Sequence, residues 1–158
     1  MAGDGARRLP VMQRAEQAGL SGILSFPSAL RQDEVVALLS QADAFLAPCV
    51  TAANGAMEGM PVALMGAMAS GLPVISTRHS GIPELIGDGV SGLLVDERDA
   101  AGLAGAMTRL RGDDGLRQSL AATARARTEN DYDAARLNKE LFKILTALPG
   151  AGDGRGSR

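Results

Sequence analysis

The sequence has few of the residues that mark several large classes of protein. It contains one cysteine, one histidine and no tryptophan, and aromatic residues make up 3% of its 158 residues. A single cysteine excludes an internal disulfide and gives no sign of a metal cluster, which fits the reducing cytoplasm. We therefore expect a cytoplasmic protein without a metal or other cofactor. The scarcity of aromatic rings also removes the platforms on which nucleic-acid bases stack.

Strong charge and long apolar runs are missing as well. The net charge is −2, so there is no electrostatic argument for binding nucleic acid or an anionic membrane. No apolar run reaches the roughly 18 residues that a membrane-spanning helix needs, and the N-terminus "MAGDGARRLP" lacks the apolar segment of a signal peptide. The hydrophobic fraction of 46% and the charged fraction of 22% are typical of a soluble globular domain.

Short apolar strands alternate with helices along the chain. Strands are predicted at residues 23–26, 44–46, 74–76 and 93–95. Helices are predicted at residues 9–20, 31–43, 61–71, 97–112, 113–130 and 131–148, with a short helical turn at 82–87. This order predicts an α/β fold with a Rossmann-like parallel sheet and flanking helices. The Gly-rich tail, residues 149–158, is predicted to be disordered.

For three of the predicted helices the sequence allows more detailed predictions. In the helix at 31–43 Asp33 is a candidate N-cap, and in the helix at 61–71 Gly66 costs about 1 kcal/mol relative to alanine. The latter helix is apolar nearly all round, which predicts burial on more than one side. Apolar stripes are expected in the second and the last helix: Val36, Leu39 and Ala42, and Leu137, Leu141, Ile144 and Leu145.

Parallel sheets bind ligands beyond the carboxyl ends of their strands. Two stretches lie there, "NGAMEGMP" after the strand at 44–46 and "TRHSGIPEL" after the strand at 74–76. In the first, Pro61 opens a helix, and the amides of Gly59, Met60 and Val62 lie at its positive end, where an anion such as phosphate binds.

Glu58 adds a carboxylate that could accept hydrogen bonds from the hydroxyls of a phosphorylated sugar. The alternative is that Glu58 is solvated or caps its own helix. In the second stretch, Ser80 and Gly81 could present backbone amides to the same cleft, and His79 is either part of that cleft or incidental. Cys49 has no visible base partner and is a poor candidate nucleophile. The chain has no GxGxxG after a strand and no P-loop lysine, which argues against a dehydrogenase or an NTPase.

The stretch "EGMPVALMGAMASGLPVISTRHSGIPELIGDGVSGLLVDERD" strongly resembles the C-terminal donor-binding domain of retaining GT-B glycosyltransferases of family 4. That family has two glutamates separated by seven residues, a Gly-Leu-Pro-Val strand entry, a Gly-Ile-Pro-Glu loop and a Gly-Leu-Leu-Val strand. The similarity spans residues 3–99, with "GDG" at 3–5 resembling the end of the domain's second strand. "CVTAANGAMEGMPVALM" and "STRHSGIPELI" further resemble exopolysaccharide transferases of the colanic acid type.

The resemblance implies a transfer of a hexose from a nucleotide-sugar donor to a glycan or lipid-linked acceptor, with retention and without a catalytic metal. It places Glu58 at donor-sugar hydroxyls, and Gly59, Met60, Pro61 and Val62 at the sugar and diphosphate. The second glutamate of the family binds the ribose. Gly66 stands at that position, and glycine has no side chain that could make this contact.

The resemblance is also incomplete. The family's acceptor-binding N-terminal domain, and the arginine and lysine that neutralise the diphosphate, have no match here, since Arg7 and Arg8 stand elsewhere. We therefore expect residues 1–148 to be a partial donor domain, the incomplete C-terminal half of a GT-B fold, from an enzyme that is cytoplasmic or peripheral at the inner membrane. The isolated chain is expected to be poorly stable and inactive. The alternative is a truncated fragment or a non-catalytic module that needs a separate N-terminal chain.

Overall fold

The computed structural model of the chain describes residues 4–5 and 7–147. The helices in this part are α1 (Arg8–Gln17), α2 (Gln32–Ser40), α3 (Val62–Ala69), α4 (Ile82–Leu85), α5 (Ala100–Gly112), α6 (Asp114–Asp131) and α7 (Ala134–Ala147). The strands are β1 (Phe45–Ala47), β2 (Val74–Thr77) and β3 (Leu93–Val95). The tail predicted to be disordered, residues 149–158, lies outside the described residues.

The strands form one parallel sheet in the order β1-β2-β3. Phe45 lies opposite Val74, and Ile75 lies opposite Leu93. Every residue of β2 is buried, because a central parallel strand is covered by neighbours on both edges and both faces. The predicted α/β fold with a parallel sheet and flanking helices is confirmed.

The chain divides into two compact units, Met1–Ala42 and Asp43–Arg158. In the first unit α1 ends as predicted near Gly19, which has a φ of +70°. The N–H of Leu20 donates to the carbonyl of Ala15, and the N–H of Gly19 donates to that of Glu16, both at 2.9 Å. This is a Schellman cap, which favours glycine at its left-handed position.

Two expectations for the first unit are wrong. Residues 23–26 form a turn and an irregular segment instead of a strand, and Ile23 is 79% exposed. A strand needs a partner for its backbone hydrogen bonds, and the sheet of the described residues consists of β1–β3 alone. Asp33 is not the N-cap of α2. The helix begins at Gln32, so Asp33 lies in its first turn, and the N-cap is Arg31, whose N–H donates to the Glu34 carboxylate at 2.7 Å.

Other details of the first unit also differ from the predictions made from the sequence. Residues 4 and 5 belong to no strand, and residue 3 of the predicted strand end lies outside the described residues. The apolar stripe of α2 has no buried member, since Val36 is 56% exposed and Leu39 and Ala42 are half-buried.

The second unit holds the core. Ile75 of β2, Leu93 of β3, Leu110 of α5 and Leu120 of α6 form one buried cluster. Burial of a large aliphatic side chain contributes about 1.5–3 kcal/mol to folding, so this cluster accounts for a substantial part of the unit's stability. β1 lies one residue later than predicted and is half-buried instead of buried, because β1 is the edge strand of the sheet.

Helix α3 packs against the sheet and α6 through one face only. Leu64, Ala67 and Met68 are buried, whereas Val62 is 76% exposed and Gly66 is exposed too. The expectation that this helix is buried on more than one side is therefore wrong. The helix ends as predicted at Gly71, where a φ of +76° closes a second Schellman cap.

The predicted apolar stripe of the last helix exists but is not covered. On α7 Leu137, Leu141, Ile144 and Leu145 are 40%, 52%, 60% and 50% exposed. No residue of α7 is buried.

Candidate functional site

The carboxyl ends of β1, β2 and β3 lie at one edge of the sheet and bring three loops together, because the strands are parallel. Hydroxyl groups of β2 join its end to the end of β1. The Ser76 hydroxyl donates to the carbonyl of Ala47 at 2.7 Å, and the Thr77 hydroxyl donates to the carbonyl of Cys49 at 2.5 Å. These bonds fix the start of the loop that leads to the predicted site.

The N-terminus of α3 faces the end of this loop without a side-chain cap. Pro61 is the N-cap residue, with φ −64° and ψ 120°, and its carbonyl accepts from the N–H of Leu64 at 3.0 Å. No side chain of the described residues caps this helix start, so the first amides of α3 remain available to an anion. The helix begins at Val62, one residue later than predicted, and Gly59, Met60 and Pro61 directly precede it. That these residues bind a ligand stays a prediction.

The Glu58 side chain precedes this helix end and is exposed. Within the described part of the chain its carboxylate has neither a hydrogen bond nor an ion pair. It does not cap α3, so this part of the alternative is wrong, whereas a solvated Glu58, the other part, agrees with its exposure. An unpaired carboxylate in this place can accept hydrogen bonds from the hydroxyl groups of a ligand.

The two predicted site segments touch through their backbones. The N–H of Gly81 donates to the carbonyl of Gly59 at 3.2 Å. A Cβ atom at Gly81 would lie 3.1 Å from that same oxygen, so glycine allows the close approach. Ser80, the residue before, has a φ of +47°, which is uncommon for a residue with a side chain.

His79 is buried under this loop, with 1% of its surface exposed. Its Nδ1 atom lies 2.6 Å from Oε1 of Glu97. The other ring nitrogen, Nε2, is buried and has no hydrogen-bond partner in the described part of the chain. His79 is thus neither an exposed loop residue nor an open face of the cleft; it is a paired residue directly behind Ser80 and Gly81.

Glu97, which the sequence reading did not single out, is the centre of a small polar network. Its Oε2 accepts from the N–H of Thr51 at 2.8 Å, and its Oε1 accepts from the Thr51 hydroxyl at 3.0 Å. The hydrogen bonds from His79 and from Thr51 lower the pKa of Glu97 from 4.5 to about 2. Glu97 follows β3 at its carboxyl end, so the rule that selected the other two loops could have found it.

Cys49 lies beside these carboxylates and stays protonated at neutral pH. Burial raises the pKa of its thiol, and the negative charges of Glu58 and Glu97 raise it further. A thiol with a raised pKa is a poor nucleophile. The expectation that Cys49 is not a nucleophile agrees with this environment.

Gly66 lies on the exposed face of α3 in open space. Beyond its chain neighbours and the backbone of its own helix, a Cβ atom there would have no atom within 4 Å. Close packing therefore does not require a glycine at this position. A longer side chain would extend from the exposed face of the helix into solvent.

The sequence matches a known family over most of its length. The family model described as "Glycosyl transferases group 1" matches residues 1–127. The chain belongs to this family. The membership confirms the resemblance to glycosyltransferases, and the roles of the site residues stay predictions.

Curated members of the family set the chain in a narrower context. It is 46% identical over 136 residues to the "Putative colanic acid biosynthesis glycosyltransferase WcaL" of Escherichia coli strain K12, covering 84% of this chain and 33% of that protein. It is 47% identical over 117 residues to the "Amylovoran biosynthesis glycosyltransferase AmsK" of Erwinia amylovora, covering 74% of this chain and 29% of that protein. The chain thus spans about a third of the length of these relatives.

Solved structures share the fold of this glycosyltransferase chain. Anabaena Alr3699/HepE in complex with UDP-glucose superposes with a TM-score of 0.82 at 22% identity, over 93% of this chain and 40% of that one. The C-terminal domain of the group 1 glycosyl transferase LpcC from Francisella tularensis superposes with a TM-score of 0.66 at 23% identity, over 80% of this chain and 63% of that one. The predicted fold class, part of a GT-B fold, is confirmed.

Cavity size alone would not locate the site in this family member. A cavity of about 340 Å³ lies at the amino end of β1, lined by Asp43, Ala44 and Leu46 together with residues of α5 and α6. A smaller one, of about 180 Å³, lies at the carboxyl ends of the strands, between Pro48, Thr77 and Arg98. We assign the site to the carboxyl ends because the open helix start and the free carboxylate are there.

Metal-binding clusters and membrane-spanning helices are both absent from residues 4–5 and 7–147. No group of three or more histidine, cysteine, aspartate or glutamate side chains is arranged to hold a metal ion. None of the helices in these ranges has the length and apolar character needed to span a membrane.

Proposed function

We propose that this chain forms the donor-binding part of a retaining glycosyltransferase, which transfers a hexose from a nucleotide-sugar to a glycan or lipid-linked acceptor in bacterial exopolysaccharide synthesis. The observation that carries the proposal is the open N-terminus of α3 beside the unpaired Glu58 carboxylate. An uncapped helix start binds phosphate, and a free carboxylate binds hydroxyl groups. A nucleoside diphosphate sugar has both groups next to each other.

The relatives support the class of substrate. Two of them are described by their names as glycosyltransferases of colanic acid and amylovoran biosynthesis. The structural neighbour HepE is described as a complex with UDP-glucose. The acceptor is proposed to bind the part of those proteins with which this chain does not align. The reaction is proposed to be cytoplasmic, which suits a chain with a single cysteine.

In the proposed reaction, the bond between the sugar C1 and the diphosphate oxygen breaks, and the nucleoside diphosphate leaves with the electron pair. An acceptor hydroxyl forms the new bond to C1 on the same face of the sugar, and its proton passes to the leaving phosphate oxygen. The amides at the start of α3 stabilise the negative charge on the diphosphate as it develops. Glu58 orients the sugar through its hydroxyl groups. No metal is assigned a role in these steps.

A second candidate is a donor-binding module that works with a separate chain. The uncovered apolar face of α7 favours it, since helix faces of this kind are normally covered by a partner surface. Such a module would bind the donor without turning it over. Binding and turnover must therefore be measured separately.

Titrations of the 158-residue chain with UDP and with UDP-glucose test the proposal. We expect Glu58→Gln to weaken UDP-glucose binding about tenfold and to leave UDP binding unchanged, because the lost hydrogen bonds to a charged group involve the sugar alone. Glu84→Gln, the same change on an exposed residue of α4, serves as the matched control and should bind both ligands like the wild type.

Two results would contradict the proposal. One is a wild-type chain that binds neither UDP nor UDP-glucose, nor GDP and GDP-mannose as a second pair of probes. The other is a Glu58→Gln variant that loses UDP and UDP-glucose to the same extent. Release of free sugar from UDP-glucose, measured in the same samples, distinguishes an active enzyme from a binding module.

A further inference from the structure

The Glu97 side chain joins the loops that follow all three strands. It stands after β3, accepts two hydrogen bonds from Thr51 after β1, and lies 2.6 Å from Nδ1 of His79 after β2. Thr51 is 46 residues away from Glu97 in sequence. The Glu97 carboxylate therefore links the three loops of the candidate site to each other.

The proton between His79 and Glu97 is assigned by chemistry. The hydrogen bonds that Glu97 accepts lower its pKa to about 2, so at neutral pH it is a carboxylate and can only accept. Nδ1 of His79 must then carry the proton. Because Nε2 has no partner among the described residues, the bond to Glu97 is the one described polar anchor of the ring.

The position of the His79 ring constrains the backbone of the candidate site. Two residues after His79, the N–H of Gly81 donates to the carbonyl of Gly59, which lies three residues before the start of α3 at Val62. Ser80 between them has a φ of +47°, an unfavourable conformation that persists only where both flanking residues are held. His79 holds it on one side through Glu97, and Gly81 holds it on the other through Gly59.

We propose that Glu97 is a positioning residue of the donor site, which acts through Thr51 and His79 to hold the Gly59–Gly81 backbone contact beside the start of α3. Glu97 does not touch the donor in this arrangement. The ligand class, a nucleoside diphosphate sugar, rests on the proposed function. The contact itself is a property of the free protein and can be measured without any ligand.

The first test compares Glu97→Gln with Asp96→Asn in the whole 158-residue chain. Both variants remove one negative charge from the same loop, but Asp96 is 81% exposed and makes none of the contacts to Thr51 or His79. The single oxygen of a glutamine cannot accept from Thr51 N–H, the Thr51 hydroxyl and His79 at once. We expect hydrogen exchange of the Gly81 amide to become about tenfold faster in Glu97→Gln and to remain at the wild-type rate in Asp96→Asn.

The second test separates the hydrogen bond from the volume of the ring. In His79→Asn the amide nitrogen takes the place of Nδ1, and in His79→Gln it takes the place of Nε2. We expect Asn to retain most of the Gly81 protection and Gln to lose it, although Gln is closer to histidine in size. The reverse order would show that packing alone holds the loop.

Nuclear magnetic resonance gives an independent measurement, because His79 is the only histidine of the sequence. The neutral ring in the wild type is expected as the Nδ1–H tautomer. An Nε2–H tautomer, or unchanged Gly81 exchange in folded Glu97→Gln, overturns the proposal. If Glu97→Gln does not fold, the proposal is decided by the His79 tautomer of the wild type and by the comparison of His79→Asn with His79→Gln.

Titration with UDP then separates this proposal from the proposed function. We expect Glu97→Gln to bind UDP about tenfold more weakly and Asp96→Asn to bind it like the wild type. Faster Gly81 exchange with unchanged UDP affinity overturns the positioning role and leaves the proposed function standing. A wild-type chain that binds none of UDP, UDP-glucose, GDP and GDP-mannose overturns the proposed function, and Gly81 exchange still decides whether Glu97 holds the contact.

Discussion

The loop after β1 and the loop after β2 form the same candidate site but are held very differently. Residues 52–59 are all exposed, and Glu58 among them has no hydrogen-bond or ion-pair partner in the described part of the chain. In the second loop His79 and Ile82 are buried, and His79 is paired with Glu97. One side of the candidate site is therefore fixed by buried contacts within the protein, whereas the other side leaves the Glu58 carboxylate exposed.

The largest expected effect comes from disturbing the support of the buried loop. In Gly92→Ala the new Cβ would lie 2.8 Å from side-chain atoms of Ile86 and Val74, and 3.0 Å from the carbonyl of Val74. Overpacking of this kind lowers the free energy of unfolding by about 1–3 kcal/mol. Urea unfolding followed by circular dichroism measures it. A loss below about 0.5 kcal/mol would show that the buried side is less rigid than its contacts indicate.

A smaller effect is expected from acid, and it should depend on Glu97. Its pKa is lowered from 4.5 to about 2 in the folded protein, so it stabilises the fold fully above pH 4.5 and loses this contribution as the pH falls towards 2. Wild type should therefore lose more unfolding free energy across that pH window than Glu97→Gln does. Urea titrations at several pH values measure the slopes, with Asp96→Asn as the control that should follow wild type. Equal slopes for wild type and Glu97→Gln would contradict this.

The smallest effect is expected on the open side, at Gly66. Because a Cβ atom there meets no atom within 4 Å beyond its chain neighbours and its own helix backbone, Gly66→Ala should raise the free energy of unfolding by about 1 kcal/mol. Gly66→Glu should bind UDP more tightly than Gly66→Ala, since a carboxylate can accept hydrogen bonds from ribose hydroxyls. Thermal unfolding and UDP titration of the two variants measure both. A Gly66→Ala variant that is less stable than wild type would contradict the free space around this position. Equal UDP affinities of the two variants would contradict the expectation that residue 66 lies beside the ribose.

The strands of the second unit could be predicted from the sequence because their apolar runs are short and bounded by turn residues. The strand at 93–95 has the predicted bounds, and that at 74–76 is one residue longer in the structure. Residues 23–26 have a similar composition but pair with no strand among the described residues. The local sequence indicates whether a segment can form a strand. Whether it does so depends on a neighbouring strand with which it can pair.

The candidate site was predictable in part for the same reason. Helix starts and the ends of parallel strands are local features, so the segment from Glu58 to Val62 and the loop at His79, Ser80 and Gly81 could be selected. The network around Glu97 could not be read from spacing, because Thr51 and Glu97 are 46 residues apart. The one-sided burial of α3 depends equally on neighbours, since a uniformly apolar helix does not show which face is covered.

The register of the sheet also has a consequence for the order in which the site assembles. The β2–β3 pairing joins Ile75 to Leu93, and the β1–β2 pairing joins Phe45 to Val74 across a longer stretch of chain. The free energies of closing the two intervening loops differ by only about 0.4 kcal/mol, which is too little to set the order of pairing. Burial therefore sets it, and burial favours the pairing of β2 with β3 because β1 is half-exposed. We therefore expect the loop that carries Glu58 to be the last part of the candidate site to form during folding and the first to open in local fluctuations.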